Sequence, residues 1–262
     1  MTRRLGLAVF VCVLTGCASL GTRASSDWKH PATESCTSSS DPVVIHRDDN
    51  ATLVRWDLDA ALWSRSQIPA DPAYQQYRHQ VEAAGADEMR PAQVVPEHQR
   101  HEAFWSRELR NVELAYTDAG TIRPVRCLDA LLFAHQNAHV RQLEHPTEFL
   151  ASILRKTVDG QPRLRVYVGA GDELFPPKSV YGFDQVERDV ADGWTYAVML
   201  HNHTIQDAGG QMRLGVPAPS ISDVQLLNSL IGRFGLEEAW VTNGLYTVEI
   251  RAADMGRYLG PE

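Results

Sequence analysis

The sequence predicts an α+β fold: a mixed sheet flanked by helices and preceded by a mainly helical N-terminal extension. Two dipeptides typical of tight hairpins, Asp159-Gly160 and Asn243-Gly244, each separate a pair of short apolar runs. Between these hairpins, residues 220–234 carry apolar side chains at helical spacing, and Gly235 follows as a helix stop. Hairpins with one central helix indicate a sheet that carries helices on its faces.

Residues 1–16 have the features of a lipoprotein signal peptide. Arg3 and Arg4 form a basic start, and the apolar stretch that follows is too short to span a bilayer. It ends in Leu14-Thr15-Gly16-Cys17, which resembles a bacterial lipobox. The resemblance implies lipidation of Cys17 as a membrane anchor, and Ala18 after it points to the outer membrane, on the periplasmic side. An ordinary secretory peptide with a chance cysteine is the alternative.

The cysteine usage agrees with an oxidising compartment, and the charge argues against nucleic acid as a partner. Cys36 and Cys127 remain as an even pair, so we expect either a disulfide, worth at most roughly 4 kcal/mol, or two free thiols. Removing residues 1–16 takes away two of 25 basic and none of 33 acidic residues, which moves the formal charge from −8 to −10. No basic cluster is present, so nucleic acid is not expected as a partner. The sequence carries no signal for an oligomeric state.

We expect residues 17–41, rich in Ser, Thr, Asp and Pro, to form a flexible tether, and residues 42–145 to form the N-terminal extension. The extension contains a helical segment with His135-Gln136-Asn137-Ala138-His139, similar to the His-Glu-x-x-His of one zinc protease class. Gln136 stands where that class has its general base, so ordinary polar residues on a helix face are the favoured interpretation. The patterns of the extension predict short strands at 43–45 and 53–56 and helices at 59–66, 72–84, 101–114 and 127–143.

In residues 146–262 the pattern changes to strands and loops. It predicts a hairpin over 148–169, a helix near 183–190, a buried strand from Trp194 to His203 and a hairpin over 238–250. The dipeptide Asn243-Gly244 in the last hairpin favours a type I′ turn.

Two histidines and one aspartate indicate a metal site. His201 and His203 end the predicted buried strand, where side chains two apart point to the same face. Asp223 lies in the first turn of the helix that opens at Ser220. Two imidazoles and one carboxylate with an open fourth position are the ligands of a catalytic zinc ion.

The order His201-Asn202-His203 and then Pro219-Ser220-Ile221-Ser222-Asp223 resembles the motif of the JAB/MPN metalloproteases, also called JAMM, in its RadC-like form. The resemblance implies a cytidine deaminase-like fold for residues 146–262 and a glutamate at the start of an earlier strand. Glu148 fits that position because it leads directly into an apolar strand, whereas Glu144 precedes the chain break at His145-Pro146. Two departures are Thr204 in place of the family's proline and a long 204–219 loop, in which residues 204–216 are interpreted as an inserted hairpin.

The resemblance implies a zinc-dependent hydrolase of an amide bond. His201, His203 and Asp223 would hold the zinc ion, Glu148 would act as general base and then acid, and Ser220 would donate to the oxyanion or serve as helix N-cap. From the predicted location, the substrate would be a peptide or protein of the cell envelope. The main alternative is a noncatalytic MPN-like scaffold, and a small-molecule zinc hydrolase ranks last because the chain has no Pro-Cys-x-x-Cys pair.

Overall fold

The computed structural model describes residues 35–83, 103–203, 206–207, 212–213 and 215–260. The signal peptide, Cys17 and most of the predicted tether lie outside these residues. The strands are β1 (Val43–Arg47), β2 (Ala51–Asp59), β3 (Thr121–Pro124), β4 (Phe149–Val158), β5 (Gln161–Gly171), β6 (Thr195–Asn202), β7 (Gln206–Asp207), β8 (Met212–Arg213), β9 (Glu238–Thr242) and β10 (Tyr246–Arg251). The α-helices are α1 (Pro72–Ala83), α2 (Ala103–Thr117), α3 (Cys127–His139), α4 (Phe183–Ala191), α5 (Ile221–Phe234) and α6 (Ala252–Met255).

Eight strands form one mixed sheet in the order β1-β2-β5-β4-β6-β9-β10-β3, so the fold is α+β as predicted. Neighbouring strands are antiparallel except β6 and β9, which are parallel and connected through α5. The strands β1, β2 and β3 come from residues 42–145. Two of them pair with strands from residues 146–262, β2 with β5 and β3 with β10, while β1 pairs with β2 at the sheet edge. The boundary expected at residue 145 therefore falls inside one continuous sheet.

The two faces of the sheet pack against different helices. Along β4, the side chains of Phe149, Ala151 and Ile153 join an apolar cluster with α1 and α3. The alternating side chains of Leu150 and Leu154 join a second cluster with α2, α4, α5 and α6. Since successive strand residues point to opposite faces, the clusters lie on opposite sides of the sheet, which we call the α3 face and the α5 face. The central strands β4 and β6 are therefore largely buried on both sides, whereas the edge strand β1 is exposed along its length.

The two hairpin turns differ. Asp159 and Gly160 both have positive φ, 51° and 75°, as a type I′ turn requires. At the second hairpin only Gly244 has a positive φ, 83°, so the expected type I′ turn is wrong there. The reason is local: the Asn243 side chain accepts hydrogen bonds from the backbone N–H groups of Leu245 and Tyr246, and the loop shifts by one residue.

Other differences are small. The helix expected over 59–66 is one 3-10 turn, Ala60–Trp63, which begins after Asp59 as its N-cap. Cys36 and Cys127 form a disulfide with a Cα–Cα distance of 5.4 Å, which ties the first described residues to the start of α3. Part of the hairpin expected over 204–216 is present as the β7–β8 pair. None of the helices in the described ranges is long and apolar enough to cross a membrane.

Candidate metal centre

The topology explains why the end of β6 meets the start of α5. Because β6 and β9 are parallel, the helix between them runs back along the sheet, and its N-terminus lies near the last residues of β6. His201 is near the end of β6, between Leu150 of β4 and Val241 of β9, and it faces the α5 side. Asp223, in the first turn of α5, is thereby brought to the histidines.

Three donor atoms form a nearly equilateral triangle. The Nε2 atoms of His201 and His203 are 3.2 Å apart, and each lies 3.3 Å from Oδ2 of Asp223. A tetrahedral zinc ion with bonds of about 2.0 Å has ligand atoms about 3.3 Å apart. The triangle therefore has the size of one face of a zinc coordination tetrahedron.

The hydrogen bond of His203 fixes which ring nitrogen can bind a metal. Its Nδ1 lies 2.6 Å from the carbonyl oxygen of Val216, and a carbonyl only accepts, so Nδ1 carries the proton. In the neutral ring the lone pair is then on Nε2, which faces the triangle. His201 is buried, and its Nδ1 has no hydrogen-bond partner among the described residues. The donor set thus fits a divalent zinc ion at Nε2, Nε2 and Oδ2.

Without a metal, the charges and hydrogen bonds within the triangle shift the pKa values of Asp223 and His203. Burial alone would raise the pKa of Asp223, but the two histidines lower it well below its usual value through their charge and hydrogen bonds. Burial alone would lower the pKa of His203, but the hydrogen bond with Asp223, together with the charges of Asp223 and Glu148, raises it to about 9. The metal-free centre is therefore a carboxylate paired with a protonated imidazole.

Glu148 directly precedes β4 and is half-buried beside this triangle. Burial raises the pKa of its carboxyl group, the charges of His203 and His201 act in the opposite direction, and the charge of Asp223 raises the pKa further. A carboxyl with a raised pKa is suited to take and return a proton near neutral pH. The other candidate, Glu144, is exposed and pairs with Arg141 at 3.3 Å.

Ser220 is the N-cap of α5. Its hydroxyl oxygen accepts from the backbone N–H of Asp223 at 3.2 Å, and the Asp223 carboxylate accepts from the Ser220 N–H at 2.7 Å. This capping box holds Asp223 with Oδ2 toward the histidines. The Ser220 hydroxyl also lies 2.8 Å from that of Ser222, and either of the two groups can donate in this contact.

Two residues near the centre were not expected from the sequence. Glu108 of α2 accepts from the backbone N–H of Ile221, and burial and the charge of Asp223 raise its pKa. Tyr181 is half-buried, and burial with the charges of Asp223 and Glu148 raises its pKa. Both lie outside the metal motif in sequence, and no local pattern distinguishes them.

The histidines of the α3 segment stay apart from this centre. The rings of His135 and His139 contact each other, with centroids 4.5 Å apart, and His135 also packs against Trp56. Within the part of the chain that the structure describes, His201, His203 and Asp223 are the single group with metal-ligand geometry. Cys17, the predicted lipidation site, lies outside that part.

Comparisons with protein-family models, curated proteins and solved structures found no match for this chain. The function is therefore inferred from the geometry of the centre and from the sequence pattern.

Proposed function

We propose that this protein is a zinc-dependent hydrolase of the JAB/MPN kind that cleaves an amide bond in the bacterial cell envelope. The observation that carries the proposal is the triangle of His201, His203 and Asp223 donor atoms, with edges of 3.2 and 3.3 Å. The half-buried carboxyl of Glu148 beside it is the second component that such a hydrolase needs.

Each residue has a chemical task in this proposal. When bound, zinc would supply a Lewis acid that polarises the carbonyl and lowers the pKa of a coordinated water toward 7. Glu148 would take the proton of the attacking water and pass it to the departing amine, acting first as base and then as acid. Ser220 would donate its hydroxyl proton to the oxygen that gains negative charge, while its lone pair keeps the cap on α5.

The location suggests the substrate. The lipobox-like sequence at Leu14-Thr15-Gly16-Cys17 supports a lipid anchor in the envelope, and mass spectrometry of the N-terminus of the full chain tests it. A hydrolase anchored there meets peptides, proteins and peptidoglycan cross-links, all of which carry amide bonds. We propose these envelope amides as the substrate class.

The first test is the metal content of residues 18–262, measured by elemental analysis after purification and after reconstitution with zinc. We expect one zinc ion per chain in the parent protein and none in His203→Ala. The matched control is His139→Ala, an exposed histidine outside the triangle, which should keep its zinc. No zinc in the reconstituted parent would refute the proposal and favour the scaffold alternative.

The second test is activity on a panel of envelope peptides and peptidoglycan fragments. We expect zinc-dependent cleavage that falls by about 10² to 10⁴ in kcat in Glu148→Gln, because the amide cannot take a proton. Zinc content should be unchanged in this variant. Glu144→Gln, four residues earlier and exposed, should keep full activity. Full activity of Glu148→Gln would mean that another group acts as the base.

A further inference from the structure

Asn202 lies between the two histidines in sequence, but its side chain points to the opposite face of the sheet. Its Oδ1 accepts from the backbone N–H of Phe149 at 2.6 Å, and its Nδ2 donates to the carbonyl of Thr147 at 3.0 Å. These two backbone groups flank Glu148 on either side. The Asn202 side chain is fully buried, so both hydrogen bonds are shielded from water.

Thr147 is held in turn by a buried polar network on the α3 face. Its hydroxyl oxygen accepts from Nε2 of Gln136 at 2.9 Å and from Nε2 of Gln142 at 2.8 Å. Its backbone N–H donates to Oε1 of Gln142 at 3.2 Å, and the Gln142 N–H donates to Oδ1 of Asn137 at 3.1 Å. These side chains are at most 3% exposed. Gln136 and Asn137 are thus the buried members of the His-Gln-Asn-Ala-His segment.

The backbone of Glu148 is also fixed directly, because its N–H donates to the carbonyl of Leu174 at 2.8 Å. Hydrogen bonds therefore restrain the residue before Glu148, Glu148 itself and the residue after it. Only the side-chain torsions of Glu148 remain to be set. A general base must be held within a fraction of an ångström of its working position, so this restraint bears on the rate of proton transfer.

We propose that Asn202 is a positioning residue that, with Thr147, Gln142 and Gln136, fixes Glu148 beside the metal-binding triangle. The inference rests on the proposed function, since it assigns this network to the residue that moves the proton. It accounts for both sequence features that the metal site leaves unused: the central residue of His201-Asn202-His203 and the polar pair in α3. The end of β6 thus places His201 and His203 on one face of the sheet and Asn202, which holds the backbone around Glu148, on the other.

The test compares Asn202→Ala with Ser152→Ala in residues 18–262 reconstituted with zinc. Ser152 is a buried polar residue of β4 that bonds to Tyr196, away from Glu148. We expect Asn202→Ala to keep one zinc ion per chain and its KM, and to lose about 10- to 100-fold in kcat. In the Glu148→Gln background the same substitution should cause no further loss. Ser152→Ala should leave kcat unchanged.

Two further measurements cover a variant that folds poorly or a protein without detectable hydrolysis. Gln136→Met keeps the side-chain shape and removes one hydrogen bond to Thr147, so a smaller fall in kcat is expected with zinc retained. Hydrogen exchange of the Phe149 amide should accelerate in Asn202→Ala, whereas the amides of β9 should not change.

The outcomes separate the two proposals. The positioning role would be overturned if Asn202→Ala lowered kcat equally in the parent and in the Glu148→Gln background. It would also be overturned if Asn202→Ala left the hydrogen exchange of the Phe149 amide unchanged. A parent protein that binds zinc and cleaves nothing would overturn the proposed function, while the exchange result would still decide whether Asn202 restrains the backbone around Glu148.

Discussion

Reduction of the disulfide between Cys36 and Cys127 is expected to destabilise the protein strongly. The two cysteines are 91 residues apart in sequence, and the chain-entropy relation for a loop of that length gives about 4.6 kcal/mol at 25 °C, slightly above the limit of roughly 4 kcal/mol expected from the sequence. This is a ceiling, because residual structure in the unfolded chain reduces it. With an m value of about 3 kcal/mol/M, expected for a chain of this size, the urea midpoint should fall by about 1.5 M.

The assay is urea unfolding of residues 18–262, followed by tryptophan fluorescence, with and without a reductant. A chelator is present throughout, because zinc bound to the native state would add its own stabilisation. Chemical reduction changes no other atom, so no cavity contributes to the difference. The variant Cys36→Ala with Cys127→Ala is the control, and the reductant should not alter its midpoint. A parent midpoint that moves by less than about 0.3 M on reduction would refute this reasoning.

Three other predictions concern the centre and the turns. At pH 7 zinc binding should release close to one proton, because the pKa of His203 is raised to about 9 and zinc binds the neutral ring. The affinity for zinc should therefore fall as the pH falls. Calorimetry in buffers of different protonation enthalpy counts the released protons, and a count of zero would contradict this prediction. Gly244→Ala should cost more than about 1 kcal/mol in thermal unfolding, since its φ is 83° and the added Cβ would lie within 2.9 Å of two aromatic rings. Gly232→Ala, where a Cβ meets nothing within 4 Å, should instead be neutral or stabilising by up to about 1 kcal/mol. Equal changes in stability for the two variants would contradict this prediction. Ser220→Ala should cost about 1 kcal/mol of stability through loss of the N-cap, while Ser222→Ala at the exposed neighbour should stay within about 0.5 kcal/mol, and the reverse order would argue against the cap.

Most elements were predictable because local chemistry and periodicity agree in them. Apolar residues at helical spacing after Ser220, with Gly235 as the stop, correspond to α5. The Asp159-Gly160 turn lies between β4 and β5 as its alternating flanks indicate. The meeting of His201, His203 and Asp223 was predictable for the same reason, since a strand end and a helix start are both visible in the sequence.

The remainder depends on contacts between distant residues. The sequence pattern of β2 shows which of its residues face a core, but not that β2 joins β5, and residues 43–47 and 121–124 likewise carry no signal for their partner strands. The place of the extension in the sheet therefore cannot be predicted from the sequence. The Asn243 turn shifted because its side chain bonds to the backbone, in competition with the type I′ geometry. Glu108 reaches the centre only because α2 packs against the start of α5, 113 residues away.

The sheet also separates two groups of residues, one on the α5 face and one on the α3 face. Donor atoms for the metal lie on the α5 face, whereas the hydrogen bonds around Glu148 continue into the α3 face. If the protein is a zinc hydrolase as proposed, substitutions on the α3 face would slow proton transfer while the zinc ion stays bound, and substitutions of the ligands on the α5 face would release the ion while Glu148 stays in place. Proteins with the same three ligand residues would then differ in activity when the residues of the α3 face differ, and those residues lie outside the metal motif.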